Sequence, residues 1–451
     1  MSINTEKRFE KIKEESKEPK PQENERFISL TPKLPIQFEE WKAVITDNFP
    51  DLLIPAEAGL SVIAQLLIDD IKNPFALVFV DVPSSGKTIA LNFFSNLKEL
   101  IYTTDNFTPA SFVSHSANTK KEQLVKNDML PQIKYRTLII RDLAPIFAKR
   151  DEDVQAMLGI LIRVLDGEGL ETNSGLYGKR GYVGDYLFML LSASTPIRPR
   201  IWKVMGNLGS RLFFINIDGV EKDETTLANQ LKNSCRDKEI VCREATEEFI
   251  KTLWHKYPNG ISWNKDADDH QLMEIIARFA KVLAKLRSSI NVWEESFGLK
   301  KYNHTQPITE MPDRLNQLIY NLMRGHALAC GRENINKDDL KIISRVALDS
   351  APPNRSKIFK HLIKNNGQLV TSEVMDILKC SRPTALKLME ELAILRIADT
   401  DGNMNDEADY YGGRPEQKIT LKENYAWFIS EECKELFNTT AELVNKPNQT
   451  L

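Results

Sequence analysis

The chain has 451 residues, of which 42% are hydrophobic and 27% are charged, a balance typical of a soluble globular protein of about three domains. Its net charge of −3 excludes a general attraction to nucleic acid, so any such binding needs a local basic surface. The 5 cysteines and 6 histidines show no C-x-x-C or H-E-x-x-H spacing, which argues against a disulfide framework or a structural metal.

Residues 1–34 are predicted to be a disordered charged tail, because 1–26 contain seven basic and seven acidic side chains and few apolar ones. The tail has no signal-peptide pattern, and no apolar run of membrane-spanning length is expected in the chain. The sequence therefore predicts a cytoplasmic protein without membrane contact. After residue 35 the chain becomes more apolar and aromatic, and a helix is predicted from about Glu57 to Ile71.

The segment Val78–Ile89 is predicted to form a strand end, a loop and the first turn of a helix. Ala76–Val80 is an unbroken apolar run, as in a strand covered on both faces. The loop sequence DVPSSGKT matches G-x-x-x-x-G-K-[ST] except that Asp81 replaces the first glycine. In such a loop, N–H groups hold phosphates, the lysine reaches the terminal phosphates and the hydroxyl binds Mg²⁺. The loop is therefore predicted to bind nucleotide. The alternative is that Gly-Lys-Thr occurs here by chance. The predicted nucleotide-binding residues are Asp81, Val82, Pro83, Ser84, Ser85, Gly86, Lys87 and Thr88.

Four further strands are predicted after a helix that continues to about Ile101. They are Ala110–His115, Arg136–Asp142, Tyr186–Ala193 and Leu212–Ile217. Asp142 ends one of them, at the sheet edge where α/β folds bind ligands and hold Mg²⁺. The alternative for Asp142 is a turn or N-cap residue.

A helix from about Glu152 to Leu165 precedes a glycine-rich stretch, Gly167–Tyr182, which predicts a β-hairpin. The hairpin tip is predicted at Gly178–Gly181, so that Lys179 and Arg180 form a basic, exposed turn. Ordinary solvated charge is the alternative role of these two residues.

In this order, the motifs resemble those of AAA+ ATPases. The branch they resemble carries a hairpin before the fourth core strand and includes the minichromosome-maintenance (MCM) helicases and the bacterial enhancer-binding activators. The matching motifs are DVPSSGKT (Walker A), LIIRD (Walker B), LSASTP (sensor 1), LGSRLFF (arginine finger) and MPDRLNQLIYNLMRGHALACGR (a lid helix with sensor 2). The resemblance covers about 35–350. It implies a P-loop AAA+ core of α/β class with a parallel sheet and a hairpin insertion at 35–222, and an α-helical lid at 223–350.

The resemblance also implies roles for the residues around the loop. Lys87 would contact the β- and γ-phosphates of ATP, and Thr88 and Asp142 would hold Mg²⁺. Thr195 would orient water in place of the usual asparagine. Leu143 replaces the usual Walker B glutamate. The resemblance therefore implies an ATPase that lacks the glutamate side chain at this position.

Two arginines receive roles from the same resemblance. Arg211 would stabilise the γ-phosphate of a neighbouring subunit. Arg314 would reach the nucleotide from the lid, in its own or in the adjacent subunit. A surface position for Arg211 and acidic partners on the lid for Arg314 are the alternatives.

Residues 351–451 are predicted to form a winged helix-turn-helix domain. Its predicted helices are Arg355–Lys364, Thr371–Leu378 and Ser381–Leu392, and its predicted wing strands are Arg396–Thr400 and Gln417–Leu421. Its third helix offers Arg382, Thr384 and Lys387 to the major groove of DNA. Glu390, Glu391 and the acidic run Asp401–Asp409 would oppose phosphate, so protein docking is the alternative role of this domain.

The resemblance therefore implies an ATP- and Mg²⁺-binding homo-oligomer, such as a hexameric ring, that acts on DNA as an MCM-like motor or remodeller. Lys179 and Arg180 would contact the DNA. The alternatives are a non-hydrolysing, ATP-gated DNA-binding regulator and a protein-remodelling AAA+ ATPase. Residues 291–309 break the helical pattern and are predicted to be a loop insertion.

Overall fold

A computed structural model gives the structure of most of the chain. It describes residues 26–114, 121–174, 178–209, 211–217, 219, 222–225, 227–228, 234–294, 302–401 and 416–442. Most of the predicted tail lies outside the described residues. Where the description begins, the buried Arg26 side chain donates hydrogen bonds to the carbonyl oxygens of Leu66, Ile68 and Asp69. This arginine therefore attaches the start of the described chain to the core.

A five-stranded parallel sheet forms the centre of the first half of the chain. The strands of this half are β1 (Ala76–Val80), β2 (Ile101–Thr104), β3 (Thr137–Ile140), β4 (Gly169–Ser174), β5 (Gly178–Val183), β6 (Met189–Ser194) and β7 (Leu212–Asn216). The sheet order is β2-β3-β6-β1-β7, and all neighbouring pairs are parallel. The predicted α/β class with a parallel sheet is confirmed.

Helices cover both faces of this sheet. They are α1 (Phe38–Asn48), α2 (Leu53–Ala64), α3 (Lys87–Asn92), α4 (Pro109–Phe112), α5 (Lys121–Asn127), α6 (Met129–Ile133), α7 (Ala144–Phe147), α8 (Asp151–Val164) and α9 (Pro199–Leu208). Leu77 and Phe79 of β1 point into one apolar cluster, whereas Ala76, Val78 and Val80 point into the other. Because both faces are buried, β1 is apolar at every position.

The prediction of a strand at Ala110–His115 was wrong. The second strand is β2, an edge strand only partly buried, and α3 ends at Asn92 instead of continuing to Ile101. Thr108 begins the short helix α4 with a capping box, and Pro109 occupies its first turn. These local signals favour a helical turn over a strand. His115 lies outside the described residues.

Strands β4 and β5 form the predicted antiparallel hairpin, but the predicted tip was wrong. Lys179 and Arg180 lie within β5, opposite Asn173 and Thr172, and not at a turn. Gly181 has a φ of +144°, and a Cβ atom there would lie 2.1 Å from the carbonyl oxygen of Leu170. A glycine at position 181 therefore permits the two strands to approach closely, and it does not mark the turn.

The second half of the core is helical. Its elements are α10 (Cys235–Lys256), α11 (His270–Leu286), β8 (Val292–Glu294), β9 (Tyr302–His304), α12 (Asp313–Ala329) and α13 (Leu340–Asp349). Strands β8 and β9 pair as a hairpin inside the predicted loop insertion. Helix α12 packs closely on α2, because a Cβ atom at Gly325 would lie 2.0 Å from the carbonyl oxygen of Ser61.

The C-terminal part contains three helices and a small sheet. The elements are α14 (Pro353–Lys364), β10 (Gln368–Val370), α15 (Thr371–Leu378), α16 (Arg382–Ile394), β11 (Ala398–Asp401), β12 (Lys418–Leu421) and α17 (Glu431–Glu442). The sheet is antiparallel in the order β10-β12-β11. Lys379 adopts a left-handed conformation that ends α15 and turns the chain toward α16.

Among the described residues, one helical stretch, Pro50–Leu67, is long and apolar enough to cross a membrane. Most of this stretch is buried inside the protein. It is therefore buried as a core helix is.

A buried histidine links the helical part to α2. His326 contacts Glu57 through Nε2 at 2.8 Å and Asp339 through Nδ1 at 2.5 Å. Burial lowers the pKa of His326, but hydrogen bonds with Asp339, Cys330 and Glu57 outweigh it and raise the pKa well above its ordinary value. A carboxylate at each ring nitrogen favours the imidazolium form, in which both nitrogens donate.

Replacing His326 with Gln is expected to lower stability by about 3 kcal/mol at pH 6, because the buried Asp339 and the half-buried Glu57 lose a charged partner. Since the folded-state pKa is raised, this stabilisation is complete below about pH 6.5 and is lost as pH rises through the folded-state pKa. Denaturant unfolding between pH 6 and 9 should show this decline in the wild type and a flatter curve in His326→Gln. Replacing the exposed His255 with Gln is the control. Parallel curves for the wild type and His326→Gln would contradict the prediction.

Candidate functional site

The phosphate-loop sequence, residues 81–88, follows the carboxyl end of β1, which lies between β6 and β7. The chain leaves β1 toward the β2 edge of the sheet, whereas it leaves β6 toward β7 on the other side of β1. Open α/β sheets bind ligands at such a topological switch point, outside the carboxyl ends of the strands. The sheet topology therefore supports a ligand site at this loop.

The loop backbone is held in an unusual shape. Ser84 and Gly86 both have left-handed backbone angles, with φ of +66° and +94°. A Cβ atom at Gly86 would also lie 3.2 Å from the side chain of Leu52. Both the conformation and the packing therefore favour glycine at position 86.

Lys87 begins α3 and turns its side chain back over the loop. Its ammonium donates to the carbonyl oxygens of Asp81 and Val82, at 2.8 and 2.5 Å. Burial lowers the pKa of Lys87, while the negative charges of Asp81 and Asp142 oppose that shift. The structure thus brings a partly desolvated cation and two carboxylates together at the loop.

The Asp81 side chain is tied to the backbone. One carboxylate oxygen accepts from the N–H of Val82 at 2.7 Å, and the other accepts from the N–H of Gly219 at 3.4 Å. The N–H of Asp81 donates to the carbonyl oxygen of Ser194 in β6. These contacts connect the loop with β6 and with the segment that follows β7.

Asp142 follows β3 and is exposed, as a metal ligand at the sheet edge requires. Its Oδ1 accepts from the N–H of Ala144 at 2.8 Å, and its Oδ2 accepts no hydrogen bond from the described residues. Thr88 is also exposed, and its hydroxyl makes no hydrogen bond within the described part of the chain. The predicted turn role and the predicted metal role of Asp142 are therefore compatible.

Leu143 and Thr195 flank the same edge. Leu143 is buried, and its N–H donates to the carbonyl oxygen of Ala193 at 2.8 Å. Thr195 follows β6 directly and is half-buried. Since β3, β6 and β1 are adjacent parallel strands, Asp142, Thr195 and the loop lie along one edge of the sheet.

The two predicted catalytic arginines lie elsewhere, at the opposite edge. Arg211 precedes β7, whose first residue pairs with Ala76 at the amino end of β1. The length of β1 separates this position from the loop by roughly 13 Å. Arg314, on the first turn of α12, lies near Arg211 because both approach the Asp166 carboxylate.

Asp166 binds both arginines through the same oxygen, Oδ1. Arg211 contacts it through Nε at 2.8 Å and through Nη2 at 2.7 Å, and Nη2 of Arg314 lies 4.0 Å away. The Arg211 side chain is 9% exposed, whereas that of Arg314 is 50% exposed. Burial lowers the pKa of Arg211, and the attraction of Asp166 opposes this effect. Arg211 is thus a buried, paired residue, and Arg314 is accessible.

Glu310 adds a second acidic group to this arginine cluster. Burial raises the pKa of Glu310, while Arg287, Arg314 and Arg211 pull it down. Neither Glu310 nor Asp166 was expected from the sequence. Asp166 is 45 residues from Arg211 and belongs to an ordinary turn, so no local signal marked it.

The candidate DNA-binding residues lie outside the nucleotide site. Lys179 is exposed and pairs with Glu171 at 2.8 Å, and Arg180 lies beside it on β5. On α16, Thr384 is exposed, Lys387 is half-buried, and Arg382 approaches Glu416 at 4.0 Å.

The donor set at the loop fits Mg²⁺ bound together with phosphates. Among the described residues, no group of three or more His, Cys, Asp and Glu side chains could hold a metal. Mg²⁺ usually takes one or two protein oxygens and completes its shell with phosphates and water. The hydroxyl of Thr88 and the carboxylate of Asp142 are such oxygens.

The sequence was compared with protein-family models and with curated proteins, and neither comparison finds a match.

Proposed function

We propose that the chain is an ATP-binding AAA+ protein that forms a homo-oligomer and acts on DNA. The observation that carries the proposal is the position of DVPSSGKT at the switch point of a parallel sheet, with the Lys87 ammonium over the loop and Asp142 beside it. Backbone N–H groups and Lys87 would bind the phosphates. Thr88 and Asp142 would hold Mg²⁺, which would neutralise phosphate charge.

A nucleotide between subunits is part of this proposal. Arg211 and Arg314 are separated from their own loop by the length of β1, so they fit the phosphate of a neighbouring copy better than that of their own chain. Arg314 is the more accessible of the two. Thr195, at the loop edge, would orient water in its own subunit.

The C-terminal part is proposed to be a winged helix. Helices α14, α15 and α16, with the antiparallel β10-β12-β11 sheet, support this assignment. Its third helix would read DNA through Arg382, Thr384 and Lys387. A cytoplasmic location belongs to the same proposal.

A second candidate is a non-hydrolysing, ATP-gated DNA-binding regulator. The observation in its favour is Leu143, a buried apolar side chain where the resemblance implies a water-polarising glutamate. Phosphate release with and without DNA separates the two candidates. A motor gives turnover that DNA stimulates, whereas the regulator binds ATP without releasing phosphate. DNA-independent turnover would favour a protein remodeller.

The double replacement Lys179→Ala and Arg180→Ala is expected to weaken DNA binding for all sequences alike. In a ring, these positions would converge into a basic collar, and each phosphate they neutralise would release counterions. The slope of affinity against salt should therefore become flatter, while ATP affinity stays the same. DNA titrations at several salt concentrations test this result. The matched control is Lys149→Ala with Arg150→Ala, an exposed basic pair elsewhere. An unchanged affinity and salt slope would exclude β5 as a DNA contact.

A further inference from the structure

The phosphate loop, residues 81–88, contains a negatively charged side chain, that of Asp81. Most loops of this pattern begin with a glycine, which has no side chain, whereas this loop begins with Asp81. The Asp81 carboxylate accepts from the N–H of Val82, a backbone donor of the loop itself. One donor of the type that would hold phosphate is therefore already paired.

The same carboxylate also fixes the position of the loop. Its second oxygen accepts from the N–H of Gly219, and a Cβ atom at Gly219 would come within 3.9 Å of Ser85. Gly219, which follows β7, therefore lies against the loop and is joined to it through Asp81.

The charges around the loop do not favour a triphosphate. Lys87 is the cation that the structure brings to the loop, and it faces Asp81 and Asp142. Mg²⁺ bound to Asp142 would compensate that carboxylate, whereas Asp81 would keep its charge beside the phosphates. Like charges at such short range repel strongly in a partly desolvated site.

We propose that Asp81 limits nucleotide affinity by acting as a built-in competitor of the phosphates. This inference rests on the proposed function, because it concerns ATP at the same loop. Asp81 accepts from the loop N–H of Val82 and from the N–H of Gly219 in the free protein, and its charge repels the phosphates of a bound nucleotide. The loop is therefore closed by its own side chain until nucleotide displaces it.

The test is calorimetric titration with Mg-ATP, Mg-ADP and adenosine of the wild type, Asp81→Asn and Asp81→Gly. Asn removes the charge with little change in shape, and Gly also removes the acceptor. Both variants should bind Mg-ATP and Mg-ADP at least about tenfold more tightly than the wild type. Adenosine has no phosphate, so its affinity should not change. The gain for Asp81→Asn should decrease at high salt.

The matched control is Asp153→Asn, which removes the same charge from an exposed position on α8. An equal gain in Asp153→Asn and Asp81→Asn would attribute the effect to net charge and overturn the inference. A loss of Mg-ATP affinity in Asp81→Asn would also overturn it, and would indicate that Asp81 binds the metal. If the wild type and both variants bind no ATP, the proposed function itself fails. If the wild type binds ATP and Asp81→Gly binds it equally well, only the inference fails.

Discussion

Replacing Lys87 with Ala is expected to lower the affinity for Mg-ATP about 10²-fold or more. Removing one partner of a desolvated charge pair typically costs several kcal/mol, and here it also removes the ammonium that interacts with Asp81 and Asp142. The loop would then repel phosphate. Equilibrium binding of a fluorescent ATP analogue measures the change.

Lys98→Ala is the control for this variant, because Lys98 is an exposed lysine between α3 and β2, in the same β1–β2 connection as Lys87. It should bind ATP like the wild type. Thermal melting should show that Lys87→Ala is folded. A folded Lys87→Ala with wild-type affinity would refute the assignment of the phosphate loop.

Replacing Arg314 with Ala is expected to lower ATP turnover by about 10³-fold and to abolish ATP-driven assembly, while nucleotide binding is retained. An arginine supplied by a neighbouring subunit stabilises the charge that develops on the transferred phosphoryl group. Light scattering with ATP or ADP measures assembly even when hydrolysis is absent. Mixing Arg314→Ala with Lys87→Ala should restore turnover, because each supplies what the other lacks.

The control is Arg163→Ala. Arg163 is exposed to a similar degree and contacts the same Asp166 carboxylate, but it has no proposed role at the nucleotide. Arg211→Ala should also reduce turnover, and it should lower the melting temperature as well, since it breaks a buried pair with Asp166. A monomer at all ATP concentrations, or wild-type assembly in Arg314→Ala, would contradict a nucleotide between subunits.

The buried parts of the sheet were predictable from the sequence. Strands β1, β3, β6 and β7 have helices on both sides, so each is a nearly continuous apolar run that stands out without any alignment. The helices of the C-terminal part were found from helical spacing and from the short turn at Lys379.

The edge strand and the hairpin tip were not predictable in the same way. Strand β2 has exposed and half-buried polar positions, so it lacks the apolar run that marked its neighbours. The sequence from Gly178 to Gly181 is typical of a turn, but the glycine at 181 serves a cross-strand contact with Leu170. That requirement depends on the partner strand and leaves no local signal.

The candidate site divides in a similar way. The loop is a contiguous motif, so its residues could be proposed from the sequence alone, and Asp142 could be proposed from the rule for strand ends. The partner of Arg211 was missed, because Asp166 comes close only through folding. The structure also distinguishes two arginines that look alike in the sequence. Arg211 is buried and paired with Asp166, whereas Arg314 is accessible.

Hydrogen exchange with and without Mg-ATP tests most directly whether the loop binds nucleotide. Mg-ATP should slow the exchange of the N–H groups in peptides covering 81–88 and should leave exchange in strands β10 and β12 of the C-terminal sheet unchanged. ATP binding without protection of 81–88 would place the nucleotide elsewhere and contradict binding at this loop.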